Sequence, residues 1–208
     1  MTRATLIATL VCAVGSVAAA QPSAPADSLR AVLLEIREAD QAPRLELMVL
    51  MAEHDNAPPD SLVLPIALRM RQSDAEQLAR LVPLLDRHGW PARSEVGDEA
   101  AKAAFLVVQH APVDAQEQYL PLLEAAVAEG EADAADLALL TDRIAMFRGR
   151  PQRYGSQVTS VDGARAFHPI EDVAAVDARR AEVGLEPLAA YAERVEAPLP
   201  EGYTPGDH

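Results

Sequence analysis

The chain has 208 residues, with 18 Lys and Arg against 32 Asp and Glu, giving a formal charge of −14. A field of that sign repels nucleic acid and anionic lipid and argues against both as partners. Half of the residues are hydrophobic, which is enough for one domain of this length to bury a core.

In chain order, Arg3 precedes an apolar run from Ala4 to Val17, and Ala18-Ala19-Ala20 then meets Gln21. The run is rich in Ala and Thr and shorter than the roughly 20 strongly apolar residues of a membrane span. With its small-x-small end it predicts a secretory signal peptide at residues 1–20. Cleavage there removes Arg3 and Cys12, the only cysteine. The exported form then carries 17 basic and 32 acidic residues, a formal charge of −15. Without a thiol it has no disulfide, no thiolate chemistry and no cysteine metal site. The expected location is periplasmic or secreted, with no stable membrane insertion after cleavage.

Residues 21–26 are rich in Pro, Ser and Ala and predict a flexible lead-in. Asp27 or Ser28 caps a first helix through Leu29, Val32, Leu33 and Ile36. A second apolar-periodic segment spans Leu45 to Met51, and Asn56-Ala57-Pro58-Pro59 breaks the chain. Leu62 to Met70 predicts a short helix or turn around Pro65. Ser73 and Glu76 form a capping-box pattern that opens a helix through Leu78, Leu81, Val82 and Leu85, stopping at Gly89. Trp90 follows in a Gly-Trp-Pro turn, where its ring anchors the loop to the domain.

Three helices come next, over about 98–110, 115–128 and 133–147, with Gly130 and Gly149 where C-terminal caps belong. The first is apolar nearly all round, from Ala103 to Val108, and is therefore central. Tyr154 to Thr159, Asp162-Gly163 and Ala164 to Phe167 predict a small β-hairpin or extended element near 153–168. Helices over about 172–183 and 188–195 complete a domain spanning 27–196. Pro198, Pro200, Gly202, Pro205 and Gly206 mark residues 197–208 as a disordered tail. The fold class is mainly α, a single compact helical domain with one small β element.

Three polar segments interrupt this apolar texture. Gln109 and His110 end the buried helix, and neighbours on a helix point about 100° apart. One of them is therefore buried and hydrogen-bonded, or lines a cleft. Thr141-Asp142-Arg143 breaks another apolar helix, where charge is costly unless matched. Asp142 either ties helices and loops together or orients His110 as a general base. The third segment is Arg150 to Gln157. From Arg143 to Val161 there are four arginines and no acid. Here Gly155 frees the backbone while Gln152, Tyr154, Ser156 and Gln157 offer donors and acceptors. This strip either docks on the protein's own acidic helices or rims a pocket for an anionic or sugar-like ligand.

No Gly-x-Ser-x-Gly elbow, His-Glu-x-x-His motif or phosphate loop is present. His54-Asp55, and His168 with Glu171 and Asp172, read as surface polar groups, so no metal and no cofactor is expected. The candidate catalytic residues are His110 and Asp142. The candidate ligand-binding residues are Gln109, Arg143, Gln152, Tyr154, Gly155, Ser156 and Gln157. The expected partner is an unknown small molecule or envelope component. A hydrolase using His110 as base is the alternative, and an interaction module with an acidic helical surface is a third reading.

Gly89-Trp90-Pro91, Val96-Gly97, Gln109-His110-Ala111, Thr141-Asp142-Arg143 and Gln152-Arg153-Tyr154-Gly155-Ser156-Gln157 occur in this order. Val176-Asp177-Ala178-Arg179-Arg180 and Val183-Gly184-Leu185 follow. The set resembles an uncharacterised bacterial domain-of-unknown-function family, whose members carry Gln-His-Ala-Asp and Gln-x-Tyr-Gly-Thr-Gln motifs. The resemblance covers Gly89 to Tyr191. Pro112 stands in place of the motif's Asp, and Ser156 in place of its Thr. The resemblance implies that these motifs act as one unit, and it implies no reaction.

Overall fold

The computed structural model describes residues 24–161 and 164–204. The expected signal peptide and the Asp162-Gly163 turn lie outside them. Two long helices, α1 (Ala24–Glu53) and α2 (Asp60–His88), pack along each other as an antiparallel hairpin. A short helix α3 (Arg93–Val96) leads into α4 (Asp98–His110), then α5 (Val113–Ala128) and α6 (Ala134–Phe147). Strands β1 (Val158–Val161) and β2 (Ala164–Phe167) pair antiparallel, with Val158 opposite Phe167. A 3₁₀ turn at Val173–Ala175, α7 (Val176–Glu182) and α8 (Leu188–Arg194) close the domain.

Helix α4 is the centre of the packing, as its nearly continuous apolar surface requires. It touches α1, α2, α5 and α6, and Ala103, Ala104, Phe105, Val107 and Val108 are buried. Leu33 and Ile36 of α1, Leu81 and Leu85 of α2, Leu123 of α5 and Leu140 of α6 surround it in one hydrophobic cluster. Trp90 belongs to the same cluster and fixes the turn between α2 and α3 to the body.

The first half of the chain departs from the sequence expectation. Separate segments were expected at residues 29–36 and 45–51 in the stretch that forms α1, and in the stretch that forms α2 a short helix or turn around Pro65 followed by a new helix opened at Ser73. Each stretch is one continuous helix instead, with Pro43 inside α1 and Pro65 and Pro83 inside α2. Proline lacks the N–H that would bond the carbonyl four residues earlier, so Pro43 leaves Ala39 without its helical donor. The Ser73 hydroxyl of α2 donates to that carbonyl at 2.8 Å. Ser73 is therefore no helix cap. It supplies, from the neighbouring helix, the hydrogen bond that Pro43 cannot make. Its expected capping partner Glu76 accepts from Gln72 instead.

The ends differ as well. Helix α1 begins at Ala24, inside the expected lead-in. Part of the expected disordered tail is ordered: Ala197 is buried, and the Tyr203 hydroxyl donates to Asp177 at 2.6 Å.

The far half of the α1–α2 hairpin carries uncovered apolar side chains. Leu45, Met48 and Val49 of α1 and Leu62, Leu64 and Leu68 of α2 are 43% to 62% exposed. Among the described residues, no helix is long and apolar enough to cross a membrane.

Candidate functional site

Two of the three polar segments meet, Thr141-Asp142-Arg143 and the Arg150 to Gln157 strip, while Gln109-His110 finds its partners on other elements. Asp142 sits on the buried face of α6 and is fully covered. Its Oδ1 accepts the backbone N–H of Arg153 at 2.7 Å and of Tyr154 at 3.0 Å. Its Oδ2 accepts the N–H of Ser156 at 2.9 Å. Both oxygens are thus committed to the loop between α6 and β1. Three converging amides solvate a carboxylate that could not otherwise be buried.

The rest of the strip completes this scaffold. Gln152 is fully buried; its side-chain oxygen accepts the Gln157 N–H at 2.7 Å. Its amide group donates to the carbonyls of Gln157 and His168 at 3.0 and 2.8 Å. Arg180 of α7 donates to the Tyr154 carbonyl at 2.7 Å, and the Tyr191 hydroxyl of α8 to the Ser156 carbonyl at 2.6 Å. Burial lowers the Arg180 pKa, while Tyr191, Asp177, Glu186 and Asp142 act in the opposite sense. The motif residues from α6 to α8 thus lock one loop. Gln152, Gly155, Ser156 and the Tyr154 backbone build it.

Gly155 shows how tight the loop is. Its φ is +67°, and a Cβ placed there would lie 2.8 Å from Ile170 and 2.9 Å from Leu188. Gly155→Ala is therefore expected to cost about 2–4 kcal/mol, combining left-handed strain with overpacking. Denaturant unfolding reads this; a cost below about 1 kcal/mol would mean that the loop relaxes.

What the scaffold presents is Gln157 toward Arg143. The Gln157 side-chain oxygen lies 3.5 Å from an Arg143 terminal nitrogen, and its amide donates to the Ser156 hydroxyl at 3.0 Å. Arg143 is half-buried, and its Nε is buried without a hydrogen-bond partner. Arg37 and Arg93 also have an Nε without a hydrogen bond, yet each is ion-paired to a carboxylate through a terminal nitrogen, and the Arg93 Nε lies 3.7 Å from Asp98 as well. No carboxylate lies within ion-pair distance of Arg143 among the described residues. Burial lowers its pKa, and the positive charge of Arg44 adds to that, against an opposing pull from Asp74.

The same charges connect Arg143 to His110. The His110 Nδ1 lies 3.3 Å from Oδ1 of Asp40, not beside Asp142. Asp40 is fully buried, and Arg44 Nη1 lies 3.4 Å from that same oxygen. Arg44 also donates to its own helix at the Asp40 carbonyl, 2.6 Å away, and pairs with Asp74 of α2. His110, Asp40, Asp74 and Arg44 thus form one polar cluster drawn from α1, α2 and α4, while Arg143 and Gln157 form a separate pair on α6 and the scaffolded loop, within the electrostatic reach of Arg44 and Asp74. The expected His110–Asp142 dyad is replaced by a His110–Asp40 pair. The other ring nitrogen of His110 has no protein partner among the described residues.

Gln109 is half-buried, and its side chain makes no hydrogen bond among the described residues. Its carbonyl and that of Ala111 accept from Gln116, a fully buried side chain that pins the end of α4.

Asp40, Arg44, Asp74 and Gln116 were not singled out from the sequence. A signal existed for Asp40. It lies one turn beyond Ile36 on the apolar stripe that starts at Leu33, and an acid on such a stripe is buried.

No curated protein and no solved structure matches this chain. One family model does, over residues 27–199, and its description is "Family of unknown function (DUF6624)". The match spans nearly the whole described domain, including α1 and α2, where the motif resemblance did not reach. The chain belongs to this family.

Proposed function

We propose that the protein is exported and binds a small anionic ligand, envelope-derived in the periplasmic or secreted setting that its N-terminus suggests. The ligand is held by Arg143 and Gln157. The observation that carries this reading is Arg143: a half-buried guanidinium with an unpartnered Nε and no carboxylate, in a protein of charge −14. With so many acids available, a cation left unpaired in a half-buried position is a binding group for an anion from outside. Gln157 supplies a neutral donor and acceptor beside it, and its position is set by the Asp142 and Gln152 contacts. Calorimetric titration with inorganic phosphate and with small carboxylates tests this. Saturable binding is expected in the parent protein, and its absence with both classes would remove the reading.

The His110–Asp40 pair favours an extension in which the site hydrolyses its ligand. Asp40 orients the imidazole through Nδ1, leaving the other nitrogen to take a proton from water. His110→Ala then abolishes turnover of a hydrolysable ligand while leaving binding within a few-fold.

The exposed apolar rows on the α1–α2 hairpin support a second reading, an interaction module. Leu64→Glu combined with Leu68→Glu would then disrupt self-association or partner capture. A parent that is monomeric and fully active without any partner would count against it.

A further inference from the structure

Asp40, Asp74 and His110 come from three different helices, yet one ligand-capable atom of each lies within 4.8 Å of the other two. Tetrahedral ligand atoms about 2.0–2.2 Å from an ion lie about 3.3–3.6 Å apart. His110 Nδ1 and Asp40 Oδ1 already stand 3.3 Å apart, so movement of about 1 Å, within the reach of side-chain rotation, closes the triad. Asp40 is held rigidly by full burial, while the side chains of Asp74 and His110 keep 25% and 18% of their exposure. Entry from solvent is thus open on one side.

The position between the carboxylates already selects for positive charge. Arg44 fills it, pairing with Asp74 through one terminal nitrogen and lying 3.4 Å from Asp40 through the other. Arg44 stands one turn beyond Asp40 on the same helix, so its long side chain can withdraw by changing rotamer without moving backbone. Its departure would uncover two carboxylates and an imidazole.

We propose that Asp40, Asp74 and His110 form a site for a divalent transition-metal ion, for which the Arg44 guanidinium is the resident substitute. Two carboxylates and one imidazole suit zinc or manganese and leave coordination positions open. Net charge also fits: displacement of Arg44 leaves two negative charges facing a doubly charged ion. The site stands whether or not the neighbouring Arg143 binds an anion.

The test is titration of EDTA-stripped protein with Zn2+ and Mn2+ by calorimetry, with Co2+ absorption as an independent report of an ordered inner sphere. One equivalent is expected to bind. Asp74→Asn and His110→Ala are each expected to weaken binding at least 30-fold while remaining folded by circular dichroism. Arg44→Gln removes the competitor and is expected to tighten binding at least fivefold, with melting rescued by metal. A merely structural ion pair produces no such rescue. Arg143→Gln leaves the metal titration within about threefold, so failure of the anion reading and failure of this one are read separately. Binding unchanged in both ligand variants, or none even in folded Arg44→Gln protein, overturns the proposal.

Discussion

Replacing Asp142 by Ala is expected to lower the unfolding free energy by about 3–9 kcal/mol, at roughly 1–3 kcal/mol for each of three stranded amides. Among the described residues the carboxylate is the sole acceptor for the N–H groups of Arg153 and Ser156, and the Tyr154 N–H also points at it. The loss extends beyond α6, because the loop it holds is also the anchor for Arg180 and Tyr191. Asp142→Asn keeps one acceptor oxygen and is expected to cost about half as much. Chemical denaturation measures both. If Asp142→Ala folds with less than about 1 kcal/mol of loss, the loop is not built on this carboxylate. If Asp142 instead acted on His110, either variant would leave stability nearly unchanged and remove activity alone.

Arg143→Gln is expected to do the reverse. Stability should stay within about 1 kcal/mol of the parent, because among the described residues the guanidinium forms no ion pair whose loss would strand a buried charge. What it gives up is a 3.5 Å contact to Gln157 and a cation–π approach of 5.7 Å to Phe147. Its removal also relieves the desolvation that lowers its pKa and the repulsion from Arg44. Ligand binding, in contrast, should weaken at least about 30-fold, the loss of a charge-assisted hydrogen-bond pair worth roughly 2 kcal/mol. A residue that is dispensable for folding and required for binding is the pattern expected of a functional position. Equal loss of stability and affinity would instead mark Arg143 as part of the scaffold.

The helices from α4 onward were legible because their signals were local and agreed. Apolar spacing, Gly130 and Gly149 at the ends, and the continuous apolar stretch from Ala103 to Val108 all point the same way. The α1–α2 hairpin departs from expectation because Pro65 and the Ser73/Glu76 pattern argue locally for boundaries. Ser73 instead bonds the Ala39 carbonyl that Pro43 leaves without its helical donor, joining residues 34 positions apart. No local rule contains that contact.

The candidate site was half legible. The polar segments themselves stood out as acids, amides and arginines in apolar surroundings, and that contrast is visible in one dimension. Which of them touch was not. Asp142 turns toward the loop that follows it, and His110 is paired by Asp40, 70 residues earlier. Burial decided this division of labour. The residues sealed inside became structural, whereas Arg143, His110 and Gln157, at the half-buried edge, keep unspent polar capacity.

The most direct test is to follow the Nε–H resonance of Arg143, in protein carrying 15N-labelled arginine, during titration with inorganic phosphate and small carboxylates. A saturable shift confined to Arg143 and lost in Gln157→Ala protein is the predicted result. An Arg143 signal that stays fixed, or moves only as the exposed Arg150 and Arg153 signals do, would contradict a site at this guanidinium.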